Sequence, residues 1–269
     1  MTRTATPVPE PTTPGLEELL ELAVRVVEEG AAIARDPGED LQVTTKSNRN
    51  DLVTAVDRRV EERIAGRLLA ESGYPLLGEE GHDVETWNGR VWVLDPIDGT
   101  MNYVETHRDY AISLALCEDG VPVLGVVMDV VPARCYTALR AGGAWCNGEP
   151  LAPVRDERGL SDAVIITDLK EIRALPRLAR CLEESRGHRR YGSAALECVE
   201  VAAGRAGAFV HMWVSPWDIA AASLICTELG VVVTRLDGTP LDLRWKGSVL
   251  VAPGRIHGEL LQRLMIDAQ

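Results

Sequence analysis

The sequence predicts an α/β protein of layered sheets and helices, and three observations carry that reading. Two amphipathic helical stretches open the chain, closely spaced strands fill its middle third, and helices and strands alternate in its last third.

The first helix is read over residues 16–34. Leu16, Leu19, Leu20, Ala23, Val24, Val27 and Ala31 share one face there, and glutamates crowd the other. A second helix over residues 56–72 repeats the pattern through Val60, Ile64 and Leu68, and Gly73 and Pro75 end it. Residues 36–55 between them are polar and rich in Gly, Asn and Asp, apart from Leu52-Val53. Val91-Trp92-Val93-Leu94 is apolar on both faces and reads as a central strand. Strands Tyr110 to Cys117, Val121 to Val131 and Cys135 to Leu139 follow, and Asn147-Gly148 marks a hairpin. Such close succession predicts a largely antiparallel sheet. The last third reads as strand 163–166, helix 169–185, helix 193–203 closed by Gly204, and strand 207–212. Helix 217–229 closed by Gly230, strand 231–234, strand 248–251 and a terminal helix complete it.

The 269 residues are 46% apolar and 26% charged, a globular mixture sufficient for one large domain or two packed ones. Residues 1–15, with four prolines between positions 7 and 14, read as a solvated tail before a globular body over 16–269. No apolar run reaches the ~18 residues of a membrane span, and the first residues lack the apolar segment of a secretory signal. The net charge of −13 repels phosphate backbones and argues against nucleic-acid binding. That argument fails for carboxylates gathered in a site that binds cations. The six cysteines form no C-x-x-C pair and fall mostly in apolar runs, so they read as reduced core residues of a cytoplasmic protein.

The most informative segment is Asp95-Pro96-Ile97-Asp98-Gly99-Thr100-Met101-Asn102, which ends the apolar strand. Pro96 lacks a backbone donor, so the chain is expected to leave the sheet there. Asp95 and Asp98 are then held close together, and two carboxylates so placed call for a cation. Hard oxygen ligands on a turn suit Mg²⁺, which keeps several waters and accepts substrate phosphate oxygens. Gly99 permits close backbone approach, and a helix starting near Thr100 would offer N–H groups to an anion. The plainer alternative is a turn in which Asp98 only caps a helix.

Three other pieces bear on the same chemistry. Leu76-Leu77-Gly78-Glu79-Glu80-Gly81 is a second apolar run ending in acids, which could equally be solvated. Asp218, in Trp217-Asp218-Ile219-Ala220-Ala221, could simply complement a helix dipole. Lys46 and Asp51 precede Leu52-Val53-Thr54, and Asp57 could be no more than the start of the second helix. His82 and His107 lack the spacing of metal ligands and read as surface or supporting residues. His188-Arg189-Arg190 could steer a second phosphate or be a solvated basic patch. Phe209 and Trp213 read as core or interface residues.

Taken together, D-P-I-D-G-T-x-N, the preceding G-E-E and the later W-D-x-A-A resemble the inositol monophosphatase family, within the lithium-sensitive, metal-dependent phosphatases. The resemblance runs from about Leu16 to the C-terminus and implies a five-layered αβαβα sandwich. It implies a metal and phosphate side over 16–155 and a substrate side over 156–269. It implies that Asp95 bridges two Mg²⁺ ions, that Glu79 and the Ile97 carbonyl complete one site, and that Asp98 and Asp218 hold the second. A third, weaker Mg²⁺ would share Glu79. Asp51 and Thr100 would orient the attacking water, Gly99 and Thr100 would cradle the phosphate, and Lys46 would sit on a mobile flap. Gly192, Ser193 and His211 would meet the alcohol part of the substrate. A homodimer is also implied, with Met212-Trp213-Val214 as a candidate face.

His211 departs from the pattern, since inositol-selective members often carry a glutamate seven residues before the aspartate matching Asp218. The expected activity is hydrolysis of a small phosphate monoester, foremost inositol 1-phosphate, by direct attack of water. The alternatives are a relaxed phosphatase acting on an NADP(H) 2′-phosphate or fructose 1,6-bisphosphate, and a regulatory scaffold for transcription machinery. A haloacid-dehalogenase phosphatase is disfavoured, because its D-x-D-G-T motif has one residue between the aspartates rather than two.

Overall fold

The structure is a computed structural model that describes residues 14–38, 41, 43–45 and 52–265. Helix α1 (Leu16–Arg35) buries Leu19, Leu22, Ala23, Val26, Val27 and Ala31. The buried stripe is rotated from the expected one, because Leu16, Leu20 and Val24 lie at its edge and are only half-buried. Two short strands, β1 (Thr44–Thr45) and β2 (Leu52–Val53), pair antiparallel ahead of helix α2 (Ala55–Ser72). Thr54 caps α2 by accepting from the Val56 and Asp57 amides, and Gly73 ends it in the left-handed region.

A seven-stranded sheet follows. It comprises β3 (Leu76–Gly78), β4 (Arg90–Asp98), β5 (Ala111–Glu118), β6 (Val121–Asp129), β7 (Arg134–Leu139), β8 (Gly143–Cys146) and β9 (Glu149–Pro150). The strands lie in sequence order, with only β3 and β4 parallel, so the expected antiparallel meander is present. Helix α3 (Thr100–Glu105) leaves the end of β4. A five-stranded sheet has the order β11-β10-β12-β14-β13, built from β10 (Val164–Ile166), β11 (Gly187–Arg189), β12 (Ala208–Val214), β13 (Val231–Thr234) and β14 (Gly247–Pro253). Its helices are α4 (Leu169–Ala174), α5 (Pro176–Glu184), α6 (Ala194–Ala202), α7 (Pro216–Glu228) and α8 (Gly254–Met265).

Three apolar clusters define the layers. One joins α1 and α2 to the outer face of the large sheet through Val27, Ile64, Trp92 and Leu114. The second joins the inner faces of both sheets across α6 and α7, through Val93, Val199, Phe209 and Ile225. The third covers the outer face of the small sheet with α5 and α8, through Leu178, Val210 and Leu260. The result is the five-layered αβαβα order that the resemblance implied. Helix α7 crosses β6 so closely that a Cβ at Gly125 would lie 2.7 Å from the Ala221 carbonyl oxygen.

Two expectations need correction. The helix read over 169–185 is two helices, because Pro176 cannot donate to the preceding turn and disfavours a helical Leu175. The chain also does not leave the sheet at Pro96. Between Asp95 and Asp98 the register against β5 shifts, with three residues on β4 spanning two on β5. This bulge accommodates a residue with no N–H, and it re-aims the two aspartates beside it. Among the described residues no helix is long and apolar enough to cross a membrane.

Candidate active site

The ends of several strands and helices converge on one cavity of about 690 Å³. The bulged end of β4 brings Asp95, Ile97 and Asp98, the loop after β3 brings Glu79, and the first turn of α7 brings Asp218. Gly99 and Thr100 begin α3 at its floor, and Gly192 and His211 line the opposite wall. Gly99 has φ 95°, and a Cβ there would lie 3.2 Å from the carbonyl oxygens of both Asp109 and Gly192. Only glycine fits a left-handed residue wedged between two carbonyls.

Each acid is held by its own neighbours. The Ile97 amide donates to Asp95 Oδ1 at 3.0 Å, a turn that also presents the Ile97 carbonyl. Asp98 accepts from Ser193 Oγ at 2.6 Å and from the amides of Ala194 and Ala195 at 3.1 and 2.7 Å. It thereby caps α6 from another layer, and not the helix that follows it in the chain, whose N-cap is Gly99 with no side-chain cap. Asp218 accepts from the Ser215 amide at 2.8 Å as the third residue of α7. Thr100 Oγ1 lies 3.2 Å from Asp57 Oδ1 and 3.1 Å from the Ile97 carbonyl oxygen, and can donate to either. The other oxygen of Asp57 accepts from the amide and hydroxyl of Thr54.

Asp57 therefore takes the place beside Thr100 expected for Asp51. Asp51 and Lys46 lie outside the described residues. The missed signal is the capping box Thr54-Ala55-Val56-Asp57, which pins Asp57 at the third position of a helix whose start faces Thr100. Ser193 is also corrected: it is fully buried beneath Asp98 and does not line the cavity. Of His188-Arg189-Arg190, only Arg190 lines the cavity, in an ion pair with Asp168 at 3.1 Å. Lys170 joins it there without having been singled out. Phe209 is in the core as expected, whereas Trp213 is 67% exposed at the cavity rim, because β12 bulges between His211 and Val214. His82 and His107 bond to Glu61 and to the Tyr103 carbonyl, respectively.

Burial, with repulsion between neighbours, raises the pKa of three of these acids. Burial pushes Asp95 well above the usual carboxylate range, and repulsion from Glu79, Asp98, Asp218 and Asp57 adds to it. Burial raises Asp98 to about 6 against the lowering effect of its bond from Ser193. Burial, then the Asp98 charge, raises Asp218 to about 8. Among the described residues no Lys, Arg or His is ion-paired with these three. Nor do the described residues include three or more His, Cys, Asp or Glu side chains already drawn together as they would be around a metal ion. Three buried, mutually repelling aspartates fit Mg²⁺. Closure on three side chains is not needed, since Mg²⁺ retains waters and takes phosphate oxygens.

A pH dependence follows. An acid whose folded pKa exceeds its unfolded value favours folding at low pH, and that contribution is lost as pH rises from about 4 through the folded value. Metal-free protein therefore loses stability from the acid cluster as pH rises toward 8, by about 1.4 kcal/mol per unit for each proton retained. His211 and His257, whose pKa values burial lowers, act in the opposite direction. Comparing melting with Mg²⁺ and with chelator at each pH cancels their effect. The Mg²⁺-induced rise in Tm is expected to be several degrees larger at pH 8 than at pH 6, because protons compete with the metal. An equal rise at both would show that Mg²⁺ does not displace these protons.

Comparison with known proteins gives consistent matches. The model of the "Inositol monophosphatase family" matches residues 15–267. The inositol-1-monophosphatase of Bacillus subtilis (strain 168) is 37% identical over 92% of this chain and 97% of its own. The crystal structure of inositol monophosphatase-II from Staphylococcus aureus MSSA476 is 33% identical, with TM-score 0.84, over 93% of this chain and 94% of that one. An IMPase/NADP phosphatase complexed with Mg²⁺ and phosphate is 28% identical, with TM-score 0.87, over 94% and 97%.

Proposed function

We propose, from the premise that this chain belongs to the inositol monophosphatase family and is a phosphatase, that it hydrolyses inositol 1-phosphate with Mg²⁺ by direct attack of water. The observation that carries this reading is the gathering of Glu79, Asp95, Asp98 and Asp218 around the Thr100–Asp57 pair.

In this reading Glu79, Asp95, Asp98, Asp218 and the Ile97 carbonyl would hold two to three Mg²⁺ ions. Bound there, Mg²⁺ supplies Lewis acidity toward the phosphoryl oxygens, the water and the leaving alkoxide. The protein's own groups do the rest. Thr100 alone is a poor base, but bonded to Asp57 it orients the water and passes on its proton. The Thr54 contacts keep Asp57 turned toward it. Gly99 and Thr100 line the cavity, and their amides would cradle the phosphate.

His211 supports a polyol as the alcohol part. The Trp213 amide donates to its Nδ1 at 3.2 Å, so the neutral ring carries its proton on Nε2. Burial, then repulsion from Lys170, lowers its pKa to about 4. A neutral imidazole at physiological pH bonds hydroxyls rather than attracting a second anion. A homodimer and a cytoplasmic location belong to the same reading, and all six cysteines are free.

A second reading has its own observation. Lys170 and Arg190 line the cavity, and the Trp213 indole stands exposed at its rim. Two cations and an aromatic face suit a substrate with a second anionic group, such as an NADP(H) 2′-phosphate or fructose 1,6-bisphosphate.

The test is phosphate release from inositol 1-phosphate, fructose 1,6-bisphosphate and NADP⁺, with and without Mg²⁺. Preference for inositol 1-phosphate is expected. Preference for either of the others would move the assignment to the second reading. Release from none of them would refute both.

A further inference from the structure

Glu61 lies one turn beyond Asp57 on α2 and is 2% exposed. A carboxylate so buried needs donors, and among the described residues its donors come from the loop after β3. The Glu80 amide donates to Oε2 at 2.8 Å, the His82 amide to Oε1 at 3.2 Å, and His82 Nδ1 lies 2.7 Å from Oε1. The loop is closed on itself by the Gly78 amide, which donates to the His82 carbonyl at 2.9 Å. The carboxylate also occupies the space beside Gly78, where a Cβ would lie 2.5 Å from Oε2. Glu61 therefore grips the chain on both sides of Glu79.

We propose that Glu61 is a positioning residue for Mg²⁺ binding: it docks the Glu79 loop onto the helix that also carries Asp57. One rigid helix then sets two parts of the site, the water-orienting carboxylate in its first turn and the metal-ligand loop one turn later. The proposal rests on the reading of Glu79 as a metal ligand. Glu61 does not line the cavity itself.

The Glu61→Gln variant tests this with little change in volume. Its amide NH₂ must face a donor, either the Glu80 amide or the His82 group, so part of the grip is lost. Two midpoints are read, that of Mg²⁺-dependent phosphate release and that of the Mg²⁺-induced rise in Tm, which needs no turnover. Supporting partners of metal ligands are commonly worth 10–100-fold in affinity. Both midpoints are expected to rise about tenfold in Glu61→Gln, with kcat at saturating Mg²⁺ within about twofold of wild type. His82→Ala removes one contact and keeps both amides, so its midpoints should shift less, in the same direction. It also keeps the test open should Glu61→Gln fail to fold. Unchanged midpoints with a lowered metal-free Tm would overturn the proposal and leave Glu61 a purely structural residue. A wild type that binds Mg²⁺ but releases no phosphate, with thermal midpoints still shifted in the variants, would sustain the positioning role while refuting the phosphatase reading.

Discussion

Replacing Asp95 with asparagine is expected to lower phosphate release by roughly 10³-fold or more while the protein stays folded. Lewis-acid stabilisation of phosphoryl transfer is worth several kcal/mol, and each 1.36 kcal/mol is tenfold in rate. Asp95 is buried and is repelled by Glu79, Asp98, Asp218 and Asp57, so its charge is costly to sustain without a cation. Asparagine keeps an oxygen to accept from the Ile97 amide, so the turn survives. It also removes one like charge from a buried cluster. The metal-free variant should therefore melt no lower than wild type at pH 8, and its Mg²⁺-induced rise in Tm should largely disappear. Near-wild-type turnover would show that the cluster is not where the reaction occurs.

The second large effect concerns Asp57. Asparagine there can still accept from Thr54 through its oxygen, so the start of α2 is preserved. Its other end is now a donor facing Thr100 Oγ1, where an acceptor stood. The hydroxyl can no longer hand a proton to a carboxylate, and a lost acid–base partner costs typically 10²–10⁴-fold. Such a fall in kcat is expected for Asp57→Asn, with a similar one for Thr100→Ala. The double variant should be little worse than either, because two groups acting as one unit are not additive. Multiplicative losses would show that the two residues act separately.

Much of this site was legible in the chain because its signals are local. Asp95 to Thr100 form one unbroken segment, and the acid-ending run at Glu79 and the helix start at Asp218 are each visible within a few residues. The layer order was legible too, since strand succession and helical periodicity are short-range patterns. What escaped depended on contacts between layers. Asp51 and Asp57 lie on either side of the short segment 52–56, and the capping box distinguishes them, by placing Asp57 on the helix that meets Thr100. Ser193 carried the expected motif, but its hydroxyl serves Asp98 from below, a tertiary contact with no signal in spacing. The break at Pro176 was visible in the sequence and should have ended the helix there. The bulge at Pro96 was not, because a proline at a strand end serves equally as an exit or a bulge.

The most direct test of the central claim is phosphate release from inositol 1-phosphate by purified protein treated with chelator and then titrated with Mg²⁺. The acid cluster requires that release be absent after chelation and return on titration, with a midpoint that falls as pH rises from 6 to 8. Equal release with chelator and with Mg²⁺ would contradict the account, because five mutually repelling carboxylates would then be performing phosphoryl chemistry without the cation their arrangement calls for.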